Sequence, residues 1–326
     1  MEQKSPKSYR YRNFTVVFWF VFVFLFQTAF LIPHAITAEN SVIIIRSQQI
    51  SAYNEAIKGF EEGCKKENIS IKAIYDLNGD TEEGKGVIQN IKDKGLKPRA
   101  ILAIGVLAAT LVKEQFPDVP IIFCMVINHE RFNLQGANIT GISSEASLAD
   151  QFAILKELLG ARKSVGVIYD PAKTGKIITE ADIASKEFEF NLVKTEVLSE
   201  KEVASALKNI VNKIDVLWMI PDSTVITKNT LSMISTITLK HRLPIFCTSD
   251  AIVKAGALVS VSPNYKYTGL QAAQLAQRLL NDSAITSLGI KQPDKLKLTL
   301  NTQTAEIIGI NLSTIRSFPD VVLYPQ

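Results

Sequence analysis

The sequence predicts an α/β protein made of two doubly wound, parallel-sheet lobes that face one cleft, and three observations predict it. Apolar strand-like runs alternate with helical patterns of ten or more residues, the signature of βαβ units whose parallel sheet is covered on both faces. The series is written twice at one spacing. It runs first from Val42-Ile43-Ile44-Ile45 to Pro120-Ile121-Ile122-Phe123-Cys124, and again from Val165-Gly166-Val167-Ile168-Tyr169 to Pro244-Ile245-Phe246-Cys247; Ile45 and Tyr169 stand 124 residues apart, as do Pro120 and Pro244. Finally, strands and a helix continue after the second series, which implies that the chain crosses back to the first lobe and returns. With the extended segment Ala137-Asn138-Ile139-Thr140-Gly141-Ile142 that makes three crossings, and several parallel hinge strands let two lobes bend toward each other.

The first series reads strand 41–46, helix 51–67, strand 69–75, helix 81–94, strand 100–104, helix 106–115, strand 120–126. Tyr53, Ile57, Phe60 and Cys64 repeat at three or four residues and form a buried stripe. Asn78-Gly79-Asp80 is a turn, and Thr81 with Glu82 and Glu83 places acids at the positive end of the next helix. The second series reads strand 164–169, helix 175–187, strand 191–197, helix 200–213, strand 216–220, helix 225–242, strand 244–248. Ser199 with Glu202 three residues on predicts a capping box. A strand at 257–261, a helix at 267–280 with Leu270, Ala273, Ala276 and Leu279 on one face, a strand at 295–300 and a short helix at 304–308 complete the pattern. The expected lobes are 39–140 plus 264–290 and 141–263 plus 291–326.

Residues 1–38 stand apart from this fold. Lys4, Lys7, Arg10 and Arg12 precede an uncharged run from Asn13 to Thr37 that is dense in Val, Phe and Leu and is followed by Ala38. A basic start, an apolar core and a small residue at its end describe a secretory signal cut near Ala38. The apolar part from Phe14 to Pro33 is also long enough to stay as a membrane anchor. Both readings export the rest of the chain. No cysteine follows the apolar segment closely, so a lipid-anchored cysteine is excluded.

Without that segment 32 basic residues face 31 acidic ones, a near-neutral body with no basic tract for phosphates, so nucleic acid is not an expected partner. Cys64, Cys124 and Cys247 form an odd set without metal-ligand spacing; buried free thiols are expected, and a Cys124–Cys247 bridge is disfavoured because their strands belong to different lobes. Outside the N-terminal segment only His129 and His241 remain, with no paired nucleophile and no glutamate–histidine metal motif. Neither GxGxxG nor GxxxxGK[ST] occurs, and Gly79-Asp80-Thr81-Glu82-Glu83-Gly84-Lys85-Gly86 is a turn without a strand leading directly into it. The reading is a binding protein, not an enzyme, with no cofactor and no metal.

Ligands of open parallel sheets bind beyond the carboxyl ends of the strands. In the first lobe those ends carry Arg46, Ser47, Gln48, Gly105 to Thr110 with Ala108, and Asn128; in the second they carry Tyr169, Asp222, Ser223, Thr224 and Asp250. The Gly105–Ala109 turn, opening a helix, is either a carboxylate receptor or a plain turn. Asp222 either takes a ligand ammonium, with Ser223 or Thr224 orienting it, or caps a helix. Asp250 has the same two readings. Tyr169 either packs a flat ligand or closes the core, Arg46 either meets a carboxylate or bridges to Asp76, and Trp218 reads as core.

These residues resemble a known family. Leu102-Ala103-Ile104-Gly105 with Ala108-Ala109, Val119-Pro120-Ile121-Ile122-Phe123, Asn138-Ile139-Thr140-Gly141-Ile142, Val165 to Pro171, Ile220-Pro221-Asp222-Ser223-Thr224-Val225, Leu243-Pro244-Ile245-Phe246 with Ala255-Gly256-Ala257-Leu258, and Leu300 to Ala305 carry the likeness in order and spacing. Over 41–323 the chain resembles the extracytoplasmic solute-binding proteins of ABC transporters, in the branch containing tryptophan- and tyrosine-binding members. The resemblance implies a type I periplasmic-binding-protein fold that closes on a small, amino-acid-like ligand and presents it to an ABC permease in the inner membrane. It implies contacts from Ser47, Ala108, Asn128, Tyr169, Asp222, Ser223, Thr224, Asp250 and Asn264, and a monomer is expected. The chain departs from the family pattern at Ile127-Asn128-His129-Glu130-Arg131, where many relatives carry a Thr-Asp-Pro-like turn, and at Ser262-Pro263-Asn264-Tyr265. The rival roles are a ligand sensor that reports to a membrane receptor kinase and a small-metabolite enzyme.

Overall fold

In the computed structural model the described residues are 1–2, 40–282, 284–313, 315 and 318–325; the basic and apolar residues that carry the signal or anchor reading of 1–38 fall outside them. Residues 40–326 form one compact unit. Its first half contains β1 (Ser41–Arg46), α1 (Ser51–Lys66), β2 (Ser70–Asp76), α2 (Thr81–Asp93), β3 (Ala100–Ile104), α3 (Val106–Gln115), β4 (Ile121–Val126), a short 3-10 turn at His129–Phe132 and β5 (Ile139–Ser143). The second half contains α4 (Leu148–Leu159), β6 (Ser164–Tyr169), α5 (Pro171–Glu187), β7 (Asn191–Glu196), α6 (Val203–Ile210), β8 (Val216–Met219), α7 (Lys228–Lys240), β9 (Ile245–Cys247), α8 (Asp250–Lys254) and β10 (Val259–Pro263). The tail contributes α9 (Tyr265–Asn281), β11 (Gly289–Lys291), β12 (Leu296–Asn301), α10 (Thr302–Ile308) and β13 (Val321–Tyr324).

The strands form two sheets, β11-β5-β4-β3-β1-β2 and β13-β12-β10-β9-β8-β6-β7. All pairings in the first are parallel; in the second only β10–β12 is antiparallel. Alternation along each strand explains the double covering, because successive side chains leave a strand on opposite faces. Val42 and Ile44 join a core with Ile57, Phe60 and Ala276 beneath α1 and α9, whereas Ile43 and Ile45 join Ile88, Ile91 and Val112 beneath α2 and α3. The second sheet divides likewise between Val165, Val167 and Trp218 under α4 and α5, and Ile168, Leu217 and Met219 under α6 and α7.

The chain changes sheet three times, after β5, after β10 and after β11, as the late helix and the segment at Ile139 predict. The return of α9 to the first sheet is secured by two glycines. A β-carbon on Gly59 would lie 1.9 Å from the Lys266 carbonyl oxygen, and one on Gly269 would lie 1.9 Å from that of Ala56, so α1 and α9 touch backbone to backbone.

Several local expectations need correction. No helix is expected at 148–159, yet α4 is there, capped by the Ser147 hydroxyl accepting from the Asp150 N–H at 3.1 Å, with Phe152, Leu155 and Leu159 buried. Helix α5 begins at Pro171 rather than Gly175, since Asp170 caps it and proline suits the first helical turn. The Ser199 capping box does not form; Glu202 accepts from the Leu198 N–H and the Ser199 hydroxyl, and a 3-10 turn precedes α6. Helix α7 starts at Lys228, capped by Thr227 in a box with Thr230, instead of at Val225. Strands β11 and β13, three and four residues long, are absent from the sequence reading. The three cysteines are buried free thiols, and burial pushes each up to about 12.

Candidate functional site

The strand ends fall into two kinds. Some are saturated by their own neighbours. The Ser47 hydroxyl donates to the Ile104 carbonyl at 3.0 Å and accepts from the Ala108 N–H at 3.0 Å, which braces the Gly105 turn and occupies the N–H expected to meet a carboxylate. Gly105 sits at φ +85°, and a β-carbon there would come within 2.6 Å of both the Ser47 and Tyr53 hydroxyl oxygens. Among the described residues, then, Ser47 and Ala108 bond to one another.

Asp222 is saturated more completely. It is 1% exposed, and its oxygens accept four hydrogen bonds: Oδ1 from the N–H groups of Thr224 (2.9 Å) and Val225 (3.3 Å), Oδ2 from the Asp170 N–H (2.8 Å) and the Thr174 hydroxyl (2.6 Å). Thr224 in turn donates its hydroxyl to Asp170 Oδ2 at 2.7 Å, a bond that holds the Asp170 carboxyl below the usual carboxylate range against the opposing effect of burial. Of the two readings of Asp222, the geometry displays the local one, although what it caps is the Asp222–Val225 turn and not α7, and a ligand ammonium would find no open lone pair. Tyr169 is 7% exposed, lies in the core of the second sheet and donates its hydroxyl to Glu196 at 2.8 Å, so it closes the core. Trp218 is core as expected, its indole N–H donating to Gln151 at 3.0 Å.

Arg46 bridges to Asp76 at 2.7 Å and also donates to Asn54. Asp250 pairs with Lys297 at 2.6 Å and accepts from the hydroxyls of Thr299 and Ser260; burial opposes its ionisation, yet these partners hold it below its ordinary value. Asn264 caps α9 through the Tyr267 N–H and donates to Asp320, stapling the crossing between β10 and α9. Gln48 and Ser223 are exposed and Asn128 is half-buried.

The second kind of strand end is open. Beyond β4 and β5 a pocket of about 300 Å³ is lined by Asn128, His129 and Glu130, by Glu145 on the crossing, by Gln151 at the start of α4, by Lys173 and Lys176 on α5, and by Gln292. It is therefore lined from both halves of the chain, beside the crossing from β5 to α4. Of the ten expected contacts only Asn128 lines it. Asn128 adopts φ +49°, a left-handed conformation that asparagine tolerates, and its N–H donates to Glu145 Oε2 at 3.2 Å. Glu130 and Lys176 form an ion pair that spans the pocket from one half of the chain to the other. Burial, and behind it the charge of Glu130, pushes the Glu145 carboxyl up. Burial pushes the His129 imidazole down, with Glu130 opposing, and its enclosed Nδ1 has no hydrogen-bond partner among the described residues.

The sequence reading missed Glu145, Lys173 and Lys176. Strand-end logic stops at each strand's last residues, whereas Glu145 follows the last strand before the chain changes sheet and the lysines lie in the first and second turns of α5. The charged residues flanking the three crossings were the available signal. Among the described residues no group of histidine, cysteine and acidic side chains is arranged to hold a metal ion.

The comparisons agree with this architecture. Residues 41–316 match the model of the ABC transporter substrate binding protein family. The chain is 23% identical over 264 residues to a tyrosine-binding protein of Clostridioides difficile, covering 78% of this chain and 75% of the relative. Its fold is similar to the ligand-free, open structure of a substrate binding protein with adhesive properties from Clostridium difficile (TM-score 0.73, 20% identity, 87% of this chain and 98% of the other). It is also similar to an ABC domain in complex with L-Trp from Streptococcus pneumonia (TM-score 0.63, 18% identity, 87% and 100%). These proteins bind substrates and are not enzymes. With its two sheets, three crossings and interlobe pocket, and with a family model matched over most of its length, the chain belongs to the ABC transporter substrate binding protein family.

Proposed function

We propose that the chain is the extracytoplasmic solute-binding component of an ABC import system, closing its two lobes on an amino acid and presenting the closed form to a membrane permease. The observation that carries this reading is the interlobe pocket, lined from both halves of the chain beside the places where it changes sheet. A solute that touches both walls stabilises the closed arrangement over the open one, which is the differential contact a population shift requires. The turns after Ser143, Pro263 and Lys291 would act as the hinge, with Gln48, Asn128 and Ser223 as the strand-end groups still open to a ligand. The tyrosine- and tryptophan-binding relatives support an amino acid, and the basic-then-apolar start of the sequence supports export.

A thermal-shift screen of the purified protein against amino acids, purines, sugars and small acids tests the reading. A specific amino acid should raise the melting temperature in proportion to the logarithm of its concentration above Kd. Stabilisation by sugars or purines alone would overturn the amino-acid assignment, and no shift with any small solute would overturn solute binding itself.

A further inference from the structure

The charges of the interlobe pocket do not cancel in place. Glu130 and Lys176 satisfy each other, and Glu180 lies 3.8 Å from the same lysine. Glu145 is half-buried, yet its side chain accepts only the Asn128 N–H and has no cation paired with it among the described residues. The Lys173 side chain, also half-buried, makes no hydrogen bond or ion pair with any described residue; its charge is felt by Asp170 but not matched. Glu130 and Glu180 share Lys176, and the charges of this pocket with no partner of their own are the Glu145 carboxylate and the Lys173 ammonium, facing a space of about 300 Å³, at the small end of the roughly 300–1,000 Å³ typical of small-molecule sites. His129, whose enclosed Nδ1 has no hydrogen-bond partner among the described residues, also lines this pocket.

We propose that Glu145 receives the ammonium group of the solute and Lys173 its carboxylate, so that the pocket selects a free, zwitterionic α-amino acid against amines, deaminated acids and sugars. This rests on the solute-binding reading above and names its substrate class and the two residues that impose it. A desolvated carboxylate without a counter-ion is costly to keep, and its cost is recovered when a ligand supplies the missing charge. An ammonium placed on Glu145 and a carboxylate placed on Lys173 tie the β5–α4 crossing to α5, and charge-assisted hydrogen bonds of this kind are stronger than neutral ones. Asp222, fully saturated, has no such capacity.

Titration calorimetry on the full-length protein tests this, using the amino acid that binds most tightly, its decarboxylated amine and its deaminated acid. The wild type should bind the amino acid about tenfold or more tightly than either analogue. Glu145→Gln should abolish the preference over the deaminated acid, and Lys173→Gln should abolish the preference over the amine. Equal binding of both analogues by the wild type, or retention of both preferences in the two variants, overturns the proposal while leaving solute binding intact. Failure of the wild type to bind any amino acid overturns this proposal together with the reading beneath it. The melting temperatures of the unliganded variants verify folding, and Lys173→Gln, which removes no intramolecular bond, decides the matter if Glu145→Gln does not fold.

Discussion

Asp222 and Glu145 are both carboxylates near the boundary between the two sheets, and they are opposites. Asp222 accepts four hydrogen bonds from neighbours that fold with it, whereas Glu145 accepts one and sits in a pocket beside another acid. The contrast shows that position at a strand end does not by itself leave a polar residue free to meet a ligand. Unspent hydrogen-bonding and charge capacity does. A saturated carboxylate stabilises the fold; an unsaturated one costs stability and is free to act.

The most forceful way to break this contrast is Asp222→Ala, which strands the N–H groups of Asp170 and Thr224 and the Thr174 hydroxyl in a buried site. The expected loss is about 3 kcal/mol of stability, or roughly 6–10 °C in melting temperature, measured by calorimetry. A variant that kept its stability and lost only ligand affinity would return Asp222 to the binding site. A smaller loss is expected from Gly269→Ala, at about 2 kcal/mol, because a β-carbon must push α9 off the Ala56 carbonyl; denaturant unfolding measures it, and a neutral result would mean that the two helices can separate freely.

Glu145→Gln should change stability in the other direction, raising it by about 0.5 kcal/mol at neutral pH as a half-buried uncompensated charge disappears. The sign follows from linkage. The folded-state pKa of Glu145 is raised, so the folded protein binds the proton more tightly than the unfolded chain, and wild-type stability falls as pH climbs from the unfolded value of about 4.3 through the folded one. The advantage of the variant should be complete above the folded pKa and vanish below pH ~4.3; an advantage independent of pH would trace it to packing. The smallest effect is expected for the Glu130–Lys176 pair. Both side chains are more than half exposed, so a double-mutant cycle with Glu130→Gln and Lys176→Met should give a coupling of about 0.3 kcal/mol that high salt removes. A larger coupling would make this contact across the pocket a real determinant of how far the lobes open.

Much of the architecture was legible in the chain. The 124-residue spacing of the two series, the apolar strands and the late helix gave two parallel sheets and three crossings, because burial patterns and chain length act through local periodicity. Helix α4 was legible too, in Ser147, Asp150, Phe152, Leu155 and Leu159, but it lies where the repeat has no counterpart. The starts of α5 and α7 shifted because Asp170 and Thr227 cap better than the residues nearest the apolar pattern.

What the sequence by itself determined is the fold class, the near-neutral charge of the chain after residue 38, the buried thiols and the expectation of a cleft between two lobes, all consequences of composition and period. What only the tertiary structure decided is which polar groups in that cleft are already taken. Ser47 and Ala108 meet across 61 residues and Asp222 meets Asp170 across 52, while Glu145 and Lys173 are left without a matching charge. Hydrogen-bond saturation depends on partners brought together from distant parts of the chain, and no local pattern of residue types encodes it.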